Sequence, residues 1–171
     1  MTLAKKEIIE AIRKKEIVIT PFEEKNVGAC SLDLRLGRTF KLLGSAGMIK
    51  VEENAKYPPE KTKTITLKGK ETLKLKPMQF VLGATLEKIK MGEKHCAFIE
   101  GRSRFARLGL MVHISSGLVQ PGVENVQVLE IVNLSPSTLE LKPGTRICQL
   151  VFDKLSSRGK YEGKFRKQVA P

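Results

Sequence analysis

Glycine and proline interrupt this chain at short intervals, and that spacing limits its fold more than any other feature. They fall at Gly37, Gly44, Gly69, Pro77, Gly83, Gly92, Gly122, Pro136 and Pro143-Gly144. Between them lie short runs with the two-residue alternation of half-buried strands, clearest in Thr64-Ile65-Thr66-Leu67 and Leu73-Lys74-Leu75. The runs predict strands over Ser31 to Leu36, Thr39 to Leu43, Lys63 to Leu67, Thr72 to Leu75 and Phe80 to Leu86. Further strands are predicted over His95 to Glu100, Met111 to Ile114, Val126 to Asn133, Thr138 to Leu141 and Ile147 to Leu155. Many short strands at this spacing favour a barrel or jelly roll over a parallel α/β sheet. One helix precedes them. Over residues 4–15, Ile8, Ile9, Ala11 and Ile12 share a face while Lys and Glu fill the rest. Ile17-Val18-Ile19 then reads as a strand ended by Pro21. Glu100 to Gly109 reads as a helical turn, and the basic, polar stretch after Ser156 as a mobile tail. Neither an internal repeat nor a linker is visible, so one domain is expected across residues 1–171.

Composition narrows the class. With 41% hydrophobic and 29% charged residues, the chain has enough apolar surface for a core and too much for disorder. No stretch reaches the roughly 18 apolar residues of a membrane span. The basic start, Met1-Thr2-Leu3-Ala4-Lys5-Lys6, has no apolar run behind it, so no signal peptide is read and a cytoplasmic location is expected. Three scattered cysteines, Cys30, Cys96 and Cys148, read as reduced and mostly buried thiols. Neither the H-x-E nor the P-C-x-x-C element of the zinc-dependent nucleobase deaminases is present, so any deamination would be zinc-free. The net charge of +13 points either to a polyanionic partner or to a lysine-rich solvated surface. With no tryptophan and 5% aromatics, interleaved stacking residues for single-stranded nucleic acid are not evident.

Two segments are candidates for chemistry. Gly101-Arg102-Ser103-Arg104-Phe105-Ala106-Arg107-Leu108-Gly109 concentrates three arginines and a serine between glycines. Guanidinium forks pair with phosphate oxygens and glycine admits close backbone approach; the alternative is a solvated basic turn. Later, Val126-Gln127-Val128-Leu129-Glu130-Ile131-Val132-Asn133 sets a carboxylate between apolar neighbours. Glu130 interrupts the alternation of that strand; the default reading of a strand glutamate is that it points to solvent, and were it to point inward, it would have to be paired or have a raised pKa.

Taken in order, these segments resemble the dCTP deaminase family. The resemblance rests on Gly101-Arg102-Ser103, Ala106-Arg107-Leu108-Gly109-Leu110, His113, Pro121-Gly122, Leu129-Glu130-Ile131 and Asn133. It extends to Ser31-Leu32-Asp33-Leu34-Arg35-Leu36-Gly37, to Leu141, Pro143-Gly144, Ile147, Gln149-Leu150 and Phe152, and to Tyr161, Gly163-Lys164-Phe165 and Gln168. It implies a mainly β protein, a distorted jelly roll (β-clip) of the dUTPase type with a short N-terminal helix. It also implies a homotrimer with active sites between subunits, acting on deoxycytidine or deoxyuridine nucleotides with Mg²⁺ carried on the triphosphate. In that family the glutamate matching Glu130 is a general base for water attack on cytosine C4, a role that a buried carboxylate of raised pKa suits. Ser103 and Arg107 would orient the reacting groups, and Arg102 would bind phosphate, with Arg104 beside it. Backbone around Ser115, Ser116 and Gly117 would read the pyrimidine, Gln120 would face the deoxyribose, and Tyr161, Lys164 and Gln168 would belong to a C-terminal lid over about residues 156–171.

The chain departs from the family pattern at four positions. Gln120 replaces an aspartate that in dUTPases positions or activates the water attacking the phosphate chain, and a neutral amide cannot be that base. Arg104 replaces the second serine of the usual R-S-S, Phe165 a tyrosine, and Asn125 a glycine. The leading expectation is therefore deamination of dCTP to dUTP and ammonia. A bifunctional deaminase/dUTPase or a dUTPase releasing pyrophosphate remains the near alternative. A non-catalytic trimeric nucleotide binder and a basic nucleic-acid module are the alternatives of other classes.

Overall fold

The computed structural model describes residues 1–171. A helix, α1 (Lys5–Arg13), leads into β1 (Ile17–Thr20) and the long β2 (Leu32–Leu43). There follow β3 (Thr62–Thr66), β4 (Leu73–Leu75), β5 (Phe80–Met91), β6 (His95–Gly101) and the one-turn helix α2 (Ser103–Ala106). The chain continues through β7 (Leu110–Val112), β8 (Leu118–Val119), β9 (Glu124–Asn133), β10 (Leu139–Leu141) and β11 (Arg146–Lys154). Nine strands form one antiparallel sheet in the order β7-β9-β5-β2-β11-β6-β8, with β1 on β5 and β3 on β2, while β4 and β10 pair separately. No helix is long and apolar enough to cross a membrane.

The sheet curls because β2 and β5 change partners along their length. β2 pairs β11 from Leu32 to Arg35 and β3 from Thr39 to Leu43. Against β5 its register shifts between Leu36 and Phe40, and β5 shifts against β9 between Ala84 and Lys88. Bulges of this kind bend strands and raise their twist. Gly37 sits at the crossing: a Cβ there would lie 2.8 Å from the Ala84 carbonyl oxygen. The two strands expected over Ser31 to Leu36 and Thr39 to Leu43 are thus one bent strand, with Gly37 permitting close approach inside it.

The inner face is apolar and shared by both ends of the chain. Ile8 and Ala11 of α1 pack with Ile17, Leu34, Phe40, Ile89, Leu129, Ile131, Leu150 and Phe152, and each full burial of a large aliphatic side chain contributes about 1.5–3 kcal/mol. Where sequence boundaries miss, a polar residue holds an inner position. β5 runs past Leu86 to Met91 because Glu87 is buried yet paired with Arg35. β9 begins at Glu124, not Val126, because buried Asn125 and Gln127 continue its inner face. β7 stops at Val112, short of the expected Ile114, since His113 turns to φ 63°.

Candidate functional site

β9 alternates inner and outer residues without a break, and Glu130 falls on the half-buried outer face. Its row is set by register: Glu130 opposes Leu82 of β5, which opposes Lys41 of β2. All three line a cleft of about 460 Å³ together with His113, Ser116, Gln120, Asn125, Gln127, Tyr161, Phe165 and Gln168. Lys41 and Leu82 carry no motif, and only sheet register brings them here.

The cleft is a gap along one edge of β9. Near the strand's end that edge pairs with β7, and the His113 N–H donates to the Glu130 carbonyl at 2.7 Å. Near its start the C-terminal segment takes the edge: Glu124 N–H donates to Arg166 O at 2.8 Å and Val126 N–H to Gln168 O at 3.1 Å. Residues 124, 126 and 130 thus direct backbone groups to this edge. Alternation turns the N–H and C=O of Val128 to the same edge, between the two covered stretches.

The turn after His113 wraps the Glu130 carboxylate. Ile114 N–H and Ser115 N–H donate to Oε2 at 3.0 and 2.7 Å, and the Ser115 hydroxyl lies 2.8 Å from Oε1 and 3.0 Å from Oε2. Burial alone pushes this carboxyl up. Yet the Ser115 backbone and hydroxyl, the neighbouring His113 and the Ile114 N–H together bring it below its ordinary value. The expected raised pKa is therefore corrected: Glu130 is an anion held by donors. Oε2 is saturated by backbone, whereas Oε1 accepts only the movable hydroxyl and keeps lone-pair capacity toward the cleft. His113 also lines the cleft, and its two ring nitrogens are buried without partners.

The other sequence candidates divide into two groups. Ser116, Gln120, Tyr161 and Gln168 line the cleft, while Ser115 clamps Glu130. Tyr161 N–H donates to Pro121 O at 2.9 Å, and the Gly117 carbonyl accepts from Ile99 at 2.8 Å, tying these loops to the sheet. Arg102, Ser103, Arg104, Arg107 and Lys164 do not line it. Arg102 instead meets Asp33 at 3.2 Å and donates to the Arg146 carbonyl at 3.0 Å. Beside them Ser31 donates to Gln149 at 2.9 Å, so the Ser31-Leu32-Asp33 stretch supports the arginine turn. Ser103, Arg104 and Arg107 are exposed on and after α2, and Lys164 lies over the Phe165 ring at 5.5 Å.

No group of three or more His, Cys, Asp or Glu residues is placed to hold a metal ion. Cys96 and Cys148 are buried, which pushes both thiols up, and Cys30 is exposed.

A family model described as dCTP deaminase-like matches residues 2–155. A protein of Aquifex aeolicus named dCTP deaminase, dUMP-forming, is 37% identical over 177 residues, covering 100% of this chain and 93% of its own. One of Dictyoglomus turgidum with the same name is 34% identical, covering 92% of this chain and 82% of its own. A protein of Thermomicrobium roseum named dCTP deaminase is 34% identical over 160 residues, covering 92% and 81%. Among solved structures, the 2'-deoxycytidine 5'-triphosphate deaminase from Agrobacterium tumefaciens matches with a TM-score of 0.69 at 16% identity, over 91% of this chain and 48% of that one. That likeness supports the distorted jelly-roll fold.

Proposed function

Because the chain belongs to the dCTP deaminase-like family, we propose that it is a zinc-free hydrolase that deaminates dCTP to dUTP and ammonia. The observation that carries this reading is the Glu130 carboxylate, anchored through Oε2 and open through Oε1 at the floor of the cleft. Water placed between Oε1 and cytosine C4 gives a proton to Glu130 as its oxygen adds to C4. Glu130 returns that proton to N3, then takes the proton of the new C4 hydroxyl and passes it to the exocyclic nitrogen, so that C4=O forms as the C4–N bond breaks with release of ammonia. The Val128 peptide and the turn over Ser115, Ser116 and Gly117 supply fixed donors and acceptors for the pyrimidine edge. Gln120 faces the sugar as an amide. Single-site proton transfer of this kind typically contributes about 10²–10⁴-fold in rate.

A donor-held carboxylate is a weak base, so the Ser115 hydroxyl is the adjustable element: turning it away restores basicity to Oε1. In the free enzyme the acid limb of kcat/KM is expected below the ordinary glutamate range of about 4.3. Ser115→Ala should move that limb upward, toward neutral pH. The stability linked to Glu130 has the same sign: it is present above the unfolded-state pKa and lost as pH falls through the lower folded value. A pH–rate profile of both proteins checks this; coincident acid limbs would remove Ser115 from the role.

We further propose a homotrimer in which α2 of one copy completes the cleft of the next. Ser103 and Arg107 would orient base and water, and Arg102 and Arg104 would take phosphate. In support, α2 does not line its own chain's cleft. The exposed apolar residues Phe98, Leu108, Met111, Ile114, Leu118 and Leu134 lie on elements flanking α2, as an interface requires. The C-terminal segment, with Tyr161, Lys164 and Gln168, would act as a lid over the triphosphate. Magnesium fits as an ion carried on the nucleotide, where it shares the triphosphate charge, since the cleft offers no cage of carboxylates. Complementation tests the shared site. Glu130→Gln and Arg107→Ala are each expected to be inactive, and subunits mixed in equal amounts after unfolding should regain about a quarter of activity, since each mixed trimer rebuilds one intact site. No recovery would place the whole site within one chain.

The dUMP-forming relatives favour a second reading, in which the triphosphate is also cleaved. Gln120 weighs against it, because an amide cannot take the proton of a water attacking phosphorus.

A further inference from the structure

A chain of hydrogen-bonded polar side chains runs along the buried face of β9 and ends on the C-terminal segment. The Thr85 hydroxyl donates to the Glu87 carbonyl at 2.8 Å and accepts the Gln127 N–H at 3.0 Å. The Gln127 amide donates to Asn125 Oδ1 at 2.6 Å, and Asn125 Nδ2 donates to the Phe165 carbonyl at 2.8 Å. Thr85, Asn125 and Gln127 are all buried, positions where an inner strand face normally carries apolar side chains. Buried amides are tolerated when their hydrogen bonds are met, and here the last bond is met only by the tail.

From this we infer that Asn125 is a positioning residue: its amide, oriented by Gln127, fastens residues 165–168 along β9 and so sets how firmly the C-terminal segment covers the cleft. The backbone contribution to that docking is small. It consists of the two bonds from Glu124 and Val126, in a parallel arrangement. Arg166 adds one bond from Nε to the Gly122 carbonyl at 3.2 Å. Asn125 differs from these in being immobilised before the tail arrives. Because Gln127 donates, it demands the oxygen of the Asn125 amide, which leaves the nitrogen aimed at Phe165. A glycine here, as in the resembling family, has no side chain to donate. That the covered cleft is the nucleotide site rests on the deaminase reading; the fastening does not.

The test uses the full chain with Asn125→Asp and Asn125→Gly. Aspartate still accepts from Gln127 but has no donor and turns a negative charge toward the Phe165 carbonyl. Both variants are expected to be cut by trypsin after Lys164 and Arg166 roughly fivefold faster or more, with cleavage elsewhere unchanged. For dCTP, KM should rise by a similar factor while kcat holds within about twofold. Tail cleavage of Asn125→Asp at the wild-type rate, or acceleration spread evenly over the chain, would overturn the inference. A wild-type protein with no turnover and no protection of the tail by dCTP would sink the deaminase reading instead, leaving the protease comparison intact.

Discussion

Glu130→Gln is expected to abolish ammonia release from dCTP, a loss of about 10²–10⁴-fold or more, while nucleotide binding and assembly persist. The expectation follows from the asymmetry of the carboxylate. A glutamine oxygen in place of Oε2 still accepts from Ile114 and Ser115 N–H, so the turn over residues 113–115 keeps its anchor. The amide nitrogen then replaces Oε1, the atom proposed to take the proton from water. It can donate to the Ser115 hydroxyl, so no buried group is orphaned. Binding measured by calorimetry beside an ammonia assay separates the two effects. Substantial turnover by this variant would falsify the role assigned to Glu130.

The largest effect on stability is expected at Glu87. This carboxylate is almost fully buried and accepts from Arg35 N at 2.8 Å and Arg35 Nε at 2.6 Å, while Arg35 also bridges to Glu23. Arg35 is itself mostly buried and already has one nitrogen, Nη2, without a partner. Glu87→Ala would leave the guanidinium with Glu23 alone and strand its Nε and a backbone N–H next to the bulge where β2 crosses β5. Removing one partner of a buried pair costs about 3–5 kcal/mol. For a chain of this size that is a fall of roughly 6–20 °C in thermal midpoint. Replacing both residues with apolar ones, Arg35→Met with Glu87→Leu, should recover much of it, because no charge remains to be desolvated. A single variant within a degree or two of wild type would mean that the pair does not hold the corner.

Much of this arrangement was legible in the sequence, and what was hidden has one physical source. The short apolar runs located every strand except the two-residue β8, and the amphipathic pattern of Ile8, Ile9, Ala11 and Ile12 located α1. The reading faltered at Glu87 and Asn125, where polar side chains occupy inner positions because partners distant in sequence satisfy them. Periodicity counts such residues as solvent-facing and ends the strand early. The default reading of a strand glutamate as solvent-facing did place Glu130 on the outer face. It could not show that Ser115, fifteen residues earlier, would return to clamp it and reverse the expected pKa shift. Lys41 and Leu82 were invisible for a further reason: only cross-strand register sets them beside Glu130.

Gln120 bears on the product. It lines the same cleft as Glu130, and its amide can hydrogen-bond a sugar hydroxyl but cannot accept a proton as a base. The proposed attack at cytosine C4 therefore has a carboxylate in the cleft, whereas hydrolysis at phosphorus would find an amide at Gln120.

Incubation of the purified protein with dCTP and, separately, dUTP in the presence of Mg²⁺, with ammonia and pyrophosphate both assayed, tests the central claim most directly. Ammonia from dCTP, with pyrophosphate from neither nucleotide, is the predicted result. Absence of ammonia from dCTP would contradict the deaminase account, and pyrophosphate from either nucleotide would contradict the consequence drawn from Gln120.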